Sequence, residues 1–342
     1  MVAVTTLLCS GCRSAERSLL VTGSESIAWP RPPARARVEY VGSIDAGYGE
    51  RLQENRELGE FLLGELLLGE RVRPRLVSPH SLAIHPETGV VAVADPQAGC
   101  IHVFDPRTSS GETIGGEGDD SRSLTTPVGV AWLGTDLLIA DAGEGHIVSI
   151  RLGGSKAAAT ARSWGSRDLE RPSGIAVSFD QQEVYVVDAA AHAVVVFDAG
   201  GEVLRRIGER GSRPGTFNFP AQIAVDRDGH LVITDALNFR VQRITRDGEV
   251  MAVFGRKGNA GGDFALPKGI AVDSGGRLWV SDGQFENIQA FDAEGRLLMA
   301  FGREGRGPGE FWLPAGLAID KEDRLWVADS YNRRIQVFRI LP

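Results

Sequence analysis

Cysteines and long apolar runs are scarce in this chain, and its acidic residues outnumber its basic ones; each of these features excludes a class of protein. Two of the three cysteines, Cys9 and Cys12, lie at the extreme N-terminus, so the rest of the chain holds Cys100 alone and cannot form an internal disulfide. No stretch reaches the ~18 apolar residues of a membrane-spanning helix. The net charge of −8 argues against a protein-wide affinity for nucleic acid, whose phosphates require a basic surface.

Glycine, by contrast, is abundant. The chain has 43 glycines and 16 prolines among 342 residues, with no collagen-like period, which indicates many turns between short elements. Hydrophobic residues make up 42% and charged residues 24%, so a mainly disordered chain is excluded. This composition favours an all-β fold.

A short motif, proline followed by an apolar run, recurs along most of the chain. Its copies begin 45 to 48 residues apart, at Pro79, Pro127, Pro172, Pro220, Pro267 and Pro314. Each copy holds four short segments rich in Val, Ile, Leu and aromatic residues; in the fifth copy these are 267–273, 276–282, 287–292 and 296–302. Turns containing glycine or aspartate separate the segments, as tight hairpins require. Four strands in a unit of about 45 residues predict one blade of a β-propeller.

The last three copies resemble the NHL repeat family most closely. Residues 302–314, GREGRGPGEFWLP, match the glycine-rich loop that leads to Phe-x-x-Pro in that family, and residues 329–338, DSYNRRIQVF, match its connection between the second and third strands. The resemblance extends from Pro79 to the C-terminus. It implies a six-bladed β-propeller of NHL-type repeats, and the whole chain is similar to bacterial six-bladed propeller lipoproteins of unassigned role.

The N-terminal part of the chain is expected to complete this ring. The sixth copy ends after its third strand, which would leave a sheet edge open. Residues 37–42 end in the same apolar-glycine pattern as the outer strands of other copies, so we predict that they close the last blade and that the propeller spans 37–342. Within 51–77, the apolar residues from Phe61 to Leu68 predict a short helix packed on one face of the ring. The alternative is an exposed contact with a membrane or partner.

The first 12 residues resemble a bacterial lipoprotein signal in which Cys12 carries the lipid. Residues 13–36 are polar and proline-rich, with the run WPRPP at 29–33, and predict an extended tether rather than a packed segment. We therefore expect an extracytoplasmic protein, lipid-anchored to the cell membrane or to the outer membrane facing the periplasm. The alternative is a frayed cytosolic tail whose two cysteines are accidental.

The sequence contains no pattern of residues that predicts a cluster of catalytic side chains. The six histidines fall at different strand positions in four repeats, whereas a metal site needs about three ligands around one point. Only His80 lies where the resemblance to NHL-type amidating lyases would place a zinc ligand. The turn 226–229 lacks the further oxygens of a calcium loop, and Cys100 is expected to be an accessible thiol with nothing near it in sequence to activate it. We therefore predict no catalytic residue, no metal site and no cofactor.

Other recurrent side chains are interpreted as structural. An aspartate follows the second strand in five copies, at Asp141, Asp188, Asp235, Asp282 and Asp329. In two copies an arginine, Arg240 or Arg334, stands five residues later, and we expect each Asp–Arg pair to brace its loop. Trp279, Trp312 and Trp326 are expected to lie in the core or between blades.

The loops of the repeat are expected to form the binding surface. Because strands alternate in direction, the glycine-rich loop that enters each blade and the loop after its second strand emerge at the same end of the ring. That end gathers aromatic and cationic side chains, of which seven are predicted to bind a ligand or partner: His80, Phe239, Arg240, Lys268, Phe285, Tyr331 and Arg333. Arg210, Arg213 and Lys257 belong to the same loops.

These features predict a non-enzymatic scaffold that binds another protein or a small anionic ligand, and that contacts a membrane only through its lipid anchor. The main alternative is a metal-dependent lyase or hydrolase with its site at the mouth of the channel. RNA binding, implied by the resemblance to animal NHL domains, is a third hypothesis, which the acidic balance disfavours, and DNA binding is not expected.

Overall fold

The computed structural model describes residues 21–22, 27–31, 33–45, 76–108, 110–116, 124–152 and 161–342. Their strands form six antiparallel sheets, five of four strands and one of six. The innermost strands of neighbouring sheets contact one another, and those of the sixth sheet contact the first. The chain is therefore a closed six-bladed β-propeller, which confirms the predicted fold. Within the described ranges, no helix is long and apolar enough to cross a membrane.

Each blade is a meander whose strands run in order from the axis outward. Blade 1 consists of Ser81–Ile84, Val91–Asp95, Cys100–Asp105 and Ser110–Gly115; blade 2 of Pro127–Leu133, Asp136–Asp141, His146–Arg151 and Ala161–Trp164; and blade 3 of Pro172–Val177, Glu183–Asp188, Ala193–Asp198 and Val203–Ile207. Blade 4 consists of Pro220–Val225, Leu231–Asp235, Arg240–Ile244 and Val250–Phe254, with a 3₁₀ turn at Ala236–Asn238; blade 5 of Pro267–Val272, Leu278–Asp282, Asn287–Phe291 and Leu297–Phe301; and blade 6 of Pro314–Ile319, Arg324–Asp329 and Arg334–Ile340.

The hydrophobic core is divided into six clusters, each between two neighbouring blades. Successive side chains of a strand point to opposite sides of its blade, so every blade contributes to two clusters. In blade 5, Trp279 packs toward blade 6 while its neighbour Val280 packs toward blade 4. Trp279 and Trp326 are buried, as predicted. Burial between blades, repeated around the ring, is what makes the six units one body.

The glycine in the Pro-x-Gly start of the inner strands has a packing role. A Cβ on Gly174 would lie 2.7 Å from the Cα of Gln222 in the next blade, and one on Gly316 would lie 2.6 Å from the carbonyl oxygen of His80. Gly129 and Gly269 are equally crowded by the following inner strand. Glycine is needed here because the inner strands approach most closely near the axis.

The N-terminal strand closes the ring. Val38–Asp45 pairs antiparallel with Arg334–Ile340, the outermost strand that the C-terminal repeat itself provides. Val38 and Ile44 are buried in the clusters on the two sides of blade 6. The predicted closure is confirmed, and the strand continues beyond Gly42 to Asp45.

A part of the predicted tether is packed. Ala28–Trp29 and Val21–Thr22 pair with the outer edge of the closing strand. The Trp29 ring lies 5.3 Å from that of Phe301 and 5.8 Å from that of Phe338, between ring centroids. It also occupies the space beside Gly309, as Val250 does beside Gly215 in blade 4. The tether prediction for 13–36 is therefore wrong around Trp29, because this side chain completes blade 6.

Other N-terminal predictions fall on residues that the structure does not describe. Residues 1–12, with Cys12, lie outside the described ranges, and so does the predicted helix of 51–77 apart from Leu76 and Val77. One described range ends at Asp45, opposite Arg334, and the next begins at Leu76, next to the loop that enters blade 1. Both points lie at the same end of the ring.

The two ends of the ring differ in the loops that form them. We call the end where the six prolines begin the inner strands the proline face, and the other end the hairpin face. At the proline face of blades 2 to 6 the loop after the second strand bonds to the loop that enters the same blade; for example, Leu237 N–H donates to the Asn218 carbonyl, and Tyr331 N–H to that of Trp312. The predicted convergence of these two loops is thus confirmed.

Candidate functional site

Buried aspartates hold the loops of the proline face in place. The six that end the second strands are fully buried: Asp95, Asp141, Asp188, Asp235, Asp282 and Asp329. Each accepts a backbone N–H from the loop that enters its own blade. The predicted Asp–Arg pairs are present, with 2.8 Å between Asp235 Oδ2 and Arg240 Nε and 2.7 Å between Asp329 Oδ2 and Arg334 Nε. These carboxylates serve the scaffold.

Arg240, one of the seven predicted binding residues, belongs to this bracing and not to the surface. Its side chain is buried. Besides Asp235, the guanidinium donates to the carbonyl oxygens of Ser212, Arg213 and Thr216, at 2.7 to 2.8 Å. With four of its five N–H donors engaged inside the loop and its side chain buried, Arg240 is a brace, which corrects its assignment as a binding residue.

One backbone position repeats on the proline face with a different side chain in four blades. The residue before each third strand is left-handed in all six blades: Gly99, Gly145, His192, Phe239, Glu286 and Arg333. In the last four the φ angles lie between 52° and 57°, a region that side chains other than glycine disfavour. Phe239 and Arg333 were predicted as binding residues. Equivalent, sterically costly positions therefore carry four chemically different side chains, of which His192 is buried and accepts from Phe219 N–H.

Aromatic and cationic side chains surround these positions on blades 4 to 6. Lys257 Nζ lies 5.3 Å from the centroid of the Phe239 ring. Tyr331, about half exposed, meets Trp312 edge to face at 5.6 Å between ring centroids, and the Arg306 guanidinium lies 5.7 Å from the Trp312 ring. Trp312 is 41% exposed, so the prediction that it lies in the core is wrong. It precedes Pro314 in the entering loop, whose outward turn exposes it.

The other predicted residues also lie on this face. Arg333, Arg210, Arg213 and Lys257 are exposed, whereas Phe285 is only partly so. Sequence reasoning missed Phe219 and Leu237, which are 39% and 46% exposed and belong to the two bonded loops of blade 4. The signal for Phe219 was its place directly before Pro220, at the mouth of the ring. We call Phe219, Leu237, Phe239, Trp312, Tyr331 and Arg333 the aromatic rim.

The centre of the proline face carries His80, which directly precedes the inner strand of blade 1, and Lys268, from the inner strand of blade 5. His80 Nδ1 lies 2.9 Å from the carbonyl oxygen of Val128 and donates to it, so its Nε2 carries no proton. Burial, aided by the nearby charge of Lys268, lowers the pKa of His80 to about 4, although the hydrogen bond to the Val128 carbonyl acts in the opposite direction. At neutral pH, His80 is an uncharged acceptor beside an ammonium group.

A cavity of about 390 Å³ opens at the opposite, hairpin face. Its wall includes the aliphatic ends of four inner strands, Ile84, Val225, Val272 and Ile319, and Phe179 stands exposed at its edge. Two of its carboxylates, Asp273 and Asp320, are already bound by Arg277 and Arg324. This cavity was not predicted. Its wall is partly apolar, and its carboxylates Asp273 and Asp320 already form ion pairs with arginines.

Three polar clusters elsewhere have structural explanations. Asp226, Asp228 and His230 have a metal-like spacing on the hairpin face, but the Arg243 guanidinium lies among them, 2.6 Å from Asp226 and 3.1 Å from Asp228. This arginine supplies the positive charge that a cation would bring.

The cluster around Cys100 replaces the arginine brace in blade 1. Its sulfur lies 3.5 Å from His102 Nε2, which is 3.7 Å from Asp95. The thiol is buried, and this burial, aided by the charge of Asp95, raises its pKa to about 12. The prediction of an accessible thiol is wrong, since Cys100 fills the buried place that Arg334 takes in blade 6.

The third cluster links blades 3 and 4. Arg205 binds Glu183 at 2.6 Å, and Arg246 reaches both Glu183 and the Tyr185 hydroxyl. The Arg205 guanidinium lowers the pKa of Glu183 to about 2. The network joins two blades on their outer side, away from the axis.

Comparisons with known proteins agree with the repeat and the ring. Residues 311–338 match the NHL repeat model, and residues 170–242 match a 6-bladed beta-propeller model. The chain is 32% identical over 77 residues to the human E3 ubiquitin-protein ligase NHLRC1, and 36% identical over 73 residues to its counterpart in Rattus norvegicus. These matches cover 22% and 21% of this chain and 19% and 18% of those proteins, so the chain spans about a fifth of the curated relatives it matches.

Solved structures with the same fold have diverse activities in their names. A streptogramin B lyase has a TM-score of 0.56 at 15% identity, covering 79% of this chain and 96% of that one. A gluconolactonase from Xanthomonas campestris has a TM-score of 0.59 at 15% identity, and the match covers 78% of this chain and 87% of that one. An auxiliary nutrient binding protein from Bacteroides thetaiotaomicron has a TM-score of 0.61 at 13% identity, and the match covers 77% of this chain and 69% of that one. At these identities the similarity shows the fold alone.

Proposed function

We propose that this six-bladed propeller with NHL-type repeats is a non-enzymatic binding module that recognises a protein segment on the aromatic rim of its proline face. The observation that carries the proposal is the exposed pair Tyr331 and Trp312, held edge to face at 5.6 Å on a rigid ring. Aromatic side chains and arginine dominate the energetics of protein interfaces, and here Arg333 stands beside them.

The rim is better suited to recognition than the cavity of the hairpin face. The carboxylates Asp273 and Asp320 of that cavity are paired with arginines, whereas the rim exposes Phe219 and Leu237 on blade 4 and Tyr331 on blade 6. Loops on a rigid scaffold can differ in side chain without disturbing the strands beneath, as the left-handed positions do here. The net charge of −8 favours a protein partner over RNA, whose phosphates require a basic surface.

Quantitative affinity capture from a membrane fraction tests this proposal. The double variant Tyr331→Ala, Arg333→Ala removes two exposed rim groups, and each change should alter stability by no more than about 0.5 kcal/mol. The matched control, Phe179→Ala with Lys321→Ala, changes an aromatic residue and a cation on the hairpin face. A partner should be lost with the first variant and retained with the second. The reverse pattern would refute the proposal.

We also propose that the protein is extracytoplasmic and anchored through a lipid on Cys12. The support is the sequence pattern of residues 1–12 alone. The Cys12→Ser variant should move the protein from the membrane fraction to the soluble fraction, while Cys9→Ser serves as the control. Soluble full-length protein with an intact N-terminus would contradict this localisation.

A further inference from the structure

We propose that the outer strand of blade 4, Val250–Phe254, pairs antiparallel with the same strand of a second copy of this chain. This strand forms the outer edge of its blade, on the side of the ring rather than at either face. On its inner side it pairs with Arg240–Ile244, and on its outer side it pairs with no strand of the described part of the chain. Its outward N–H and C=O groups are therefore available to another strand.

Four of the six blades protect this outer edge. The outer strands of blades 1, 2 and 3 contain charged residues, which are Glu112 in blade 1, Arg162 in blade 2, and Arg205 and Arg206 in blade 3. The outer strand of blade 6 is covered, because Val21–Thr22 and Ala28–Trp29 pair with it. Charged side chains and covering segments are two of the means by which proteins keep sheet edges from pairing with other chains.

The outer strands of blades 4 and 5 have neither kind of protection. Their sequences, VMAVF at 250–254 and LLMAF at 297–301, contain no charged residue. In blade 4 three of these apolar side chains are 37 to 51% exposed, those of Val250, Met251 and Val253. Val253 has the register position of Arg206 in blade 3, since each lies opposite the third residue of the third strand. An exposed apolar edge of this kind is a site for pairing with another chain.

The charges at the two ends of the blade 4 strand favour a second copy as the occupant. Two identical antiparallel strands are related by a twofold axis, so the beginning of the strand in one copy faces its end in the other. The beginning is acidic, with Asp247 and Glu249, and the end is basic, with Arg256 and Lys257. Asp247 and Arg256 have ion-pair partners in their own chain, whereas Glu249 and Lys257 form no ion pair within the described ranges.

The regular part of the strand determines how the two copies align. Its β-bulge lies between Val250 and Ala252, which leaves residues 252–254 in regular pairing. Pairing centred on Val253 sets Glu249 of one copy toward Lys257 of the other, because these two residues are equally distant from Val253 in sequence and both are exposed. The twofold axis repeats this contact, so each dimer has two of them.

The outer strand of blade 5 lacks this complementarity. Charges of both signs stand before it, where Arg296 pairs with Asp292 at 2.6 Å and with Glu294 at 3.3 Å. Charges of both signs also follow it, at Arg303 and Glu304. Pairing with a second copy would therefore set no acidic end against a basic end, and this equally apolar strand provides the matched control.

Sedimentation velocity of the purified full-length chain, at micromolar to millimolar concentrations, tests the dimer. The wild type should form a dimer in proportion to its concentration. Val253→Arg, which copies Arg206 of blade 3, should raise the dissociation constant about tenfold or more, because two guanidinium groups then meet at the twofold axis. Ala300→Arg, the same change at the equivalent register position of blade 5, should leave the dissociation constant unchanged. No other protein is present, so the result does not depend on the partner of the aromatic rim.

A mixture of two charge variants tests the interface without relying on how Val253→Arg folds. Glu249→Lys alone and Lys257→Glu alone should each weaken the dimer about tenfold, since like charges then face each other at both contacts. An equimolar mixture of the two variants should form heterodimers as tight as the wild-type dimer, because every facing pair is again opposite in sign. The proposal is overturned if the wild type is monomeric throughout, if Ala300→Arg dissociates the dimer as Val253→Arg does, or if the mixture associates no better than its components.

Discussion

Arg333 and Arg334 are adjacent in sequence and have opposite roles. Arg334 is buried and donates to Asp329 and to the carbonyl oxygens of the entering loop, whereas Arg333 is exposed on the aromatic rim. The left-handed backbone of Arg333 turns its side chain outward just before the third strand begins. Residue type alone does not distinguish an arginine that braces a loop from one that can bind a partner; the burial of the side chain distinguishes them.

This contrast predicts very different effects on stability. Arg334→Ala should lower the free energy of unfolding by about 3–5 kcal/mol, because it leaves the buried Asp329 carboxylate unpaired. Burial already raises the pKa of Asp329, and Arg334 is the largest opposing influence. Arg333→Ala should change stability by no more than about 0.5 kcal/mol. Urea unfolding of both variants measures this, and equal losses would contradict the assignment.

His80 should make stability depend on pH in a defined window. Its folded pKa, about 4, lies below the ordinary value of 6.5, so between these values the unfolded chain binds more protons. Stability is therefore retained above pH 6.5 and lost as the pH falls toward 4, by at most about 3 kcal/mol. His80→Asn, whose amide can donate to Val128, should lack this loss. If the variant and the wild type lose equal stability between pH 6.5 and 4, His80 is not the cause.

At the scale of elements, the strands of the repeats could be predicted from the sequence, but some side chains that pack against them could not. The Pro-x-Gly starts and the Asp-ended second strands repeat in register, so local pattern sufficed for them. Trp29 was missed because its partners, Phe301 and Phe338, lie at the other end of the chain and nothing in its proline-rich surroundings indicates burial.

The segment containing Trp29 should contribute to the stability of the ring. Trp29→Ala should lower the free energy of unfolding by about 2 kcal/mol, because it opens a gap between Phe301, Phe338 and Gly309. Phe179→Ala, at a side chain that is 66% exposed, is the control and should have little effect. Thermal and urea unfolding measure both. A silent Trp29 variant would restore the interpretation of this segment as a tether.

For the whole molecule, the closed ring is a fixed scaffold, and the binding residues lie on the loops that it carries. The strand from the N-terminus completes blade 6, and the clusters between blades fix the positions of the described loops at both ends. Fold and closure could be predicted from the sequence because they rest on repetition. The binding residues could be predicted only in part, because a cation in a loop is equally compatible with bracing, as at Arg240, and with exposure, as at Arg333.

The central claim is that the partner binds at the proline face. Site-specific photo-crosslinking tests it most directly, with p-benzoylphenylalanine placed at Tyr331 on the aromatic rim or at Phe179 on the hairpin face, two exposed aromatic positions at opposite ends of the ring. We predict a discrete crosslinked partner from position 331 and none from position 179, with the position-331 product reduced by Trp312→Ala. Crosslinking of a partner from position 179 alone would contradict the account.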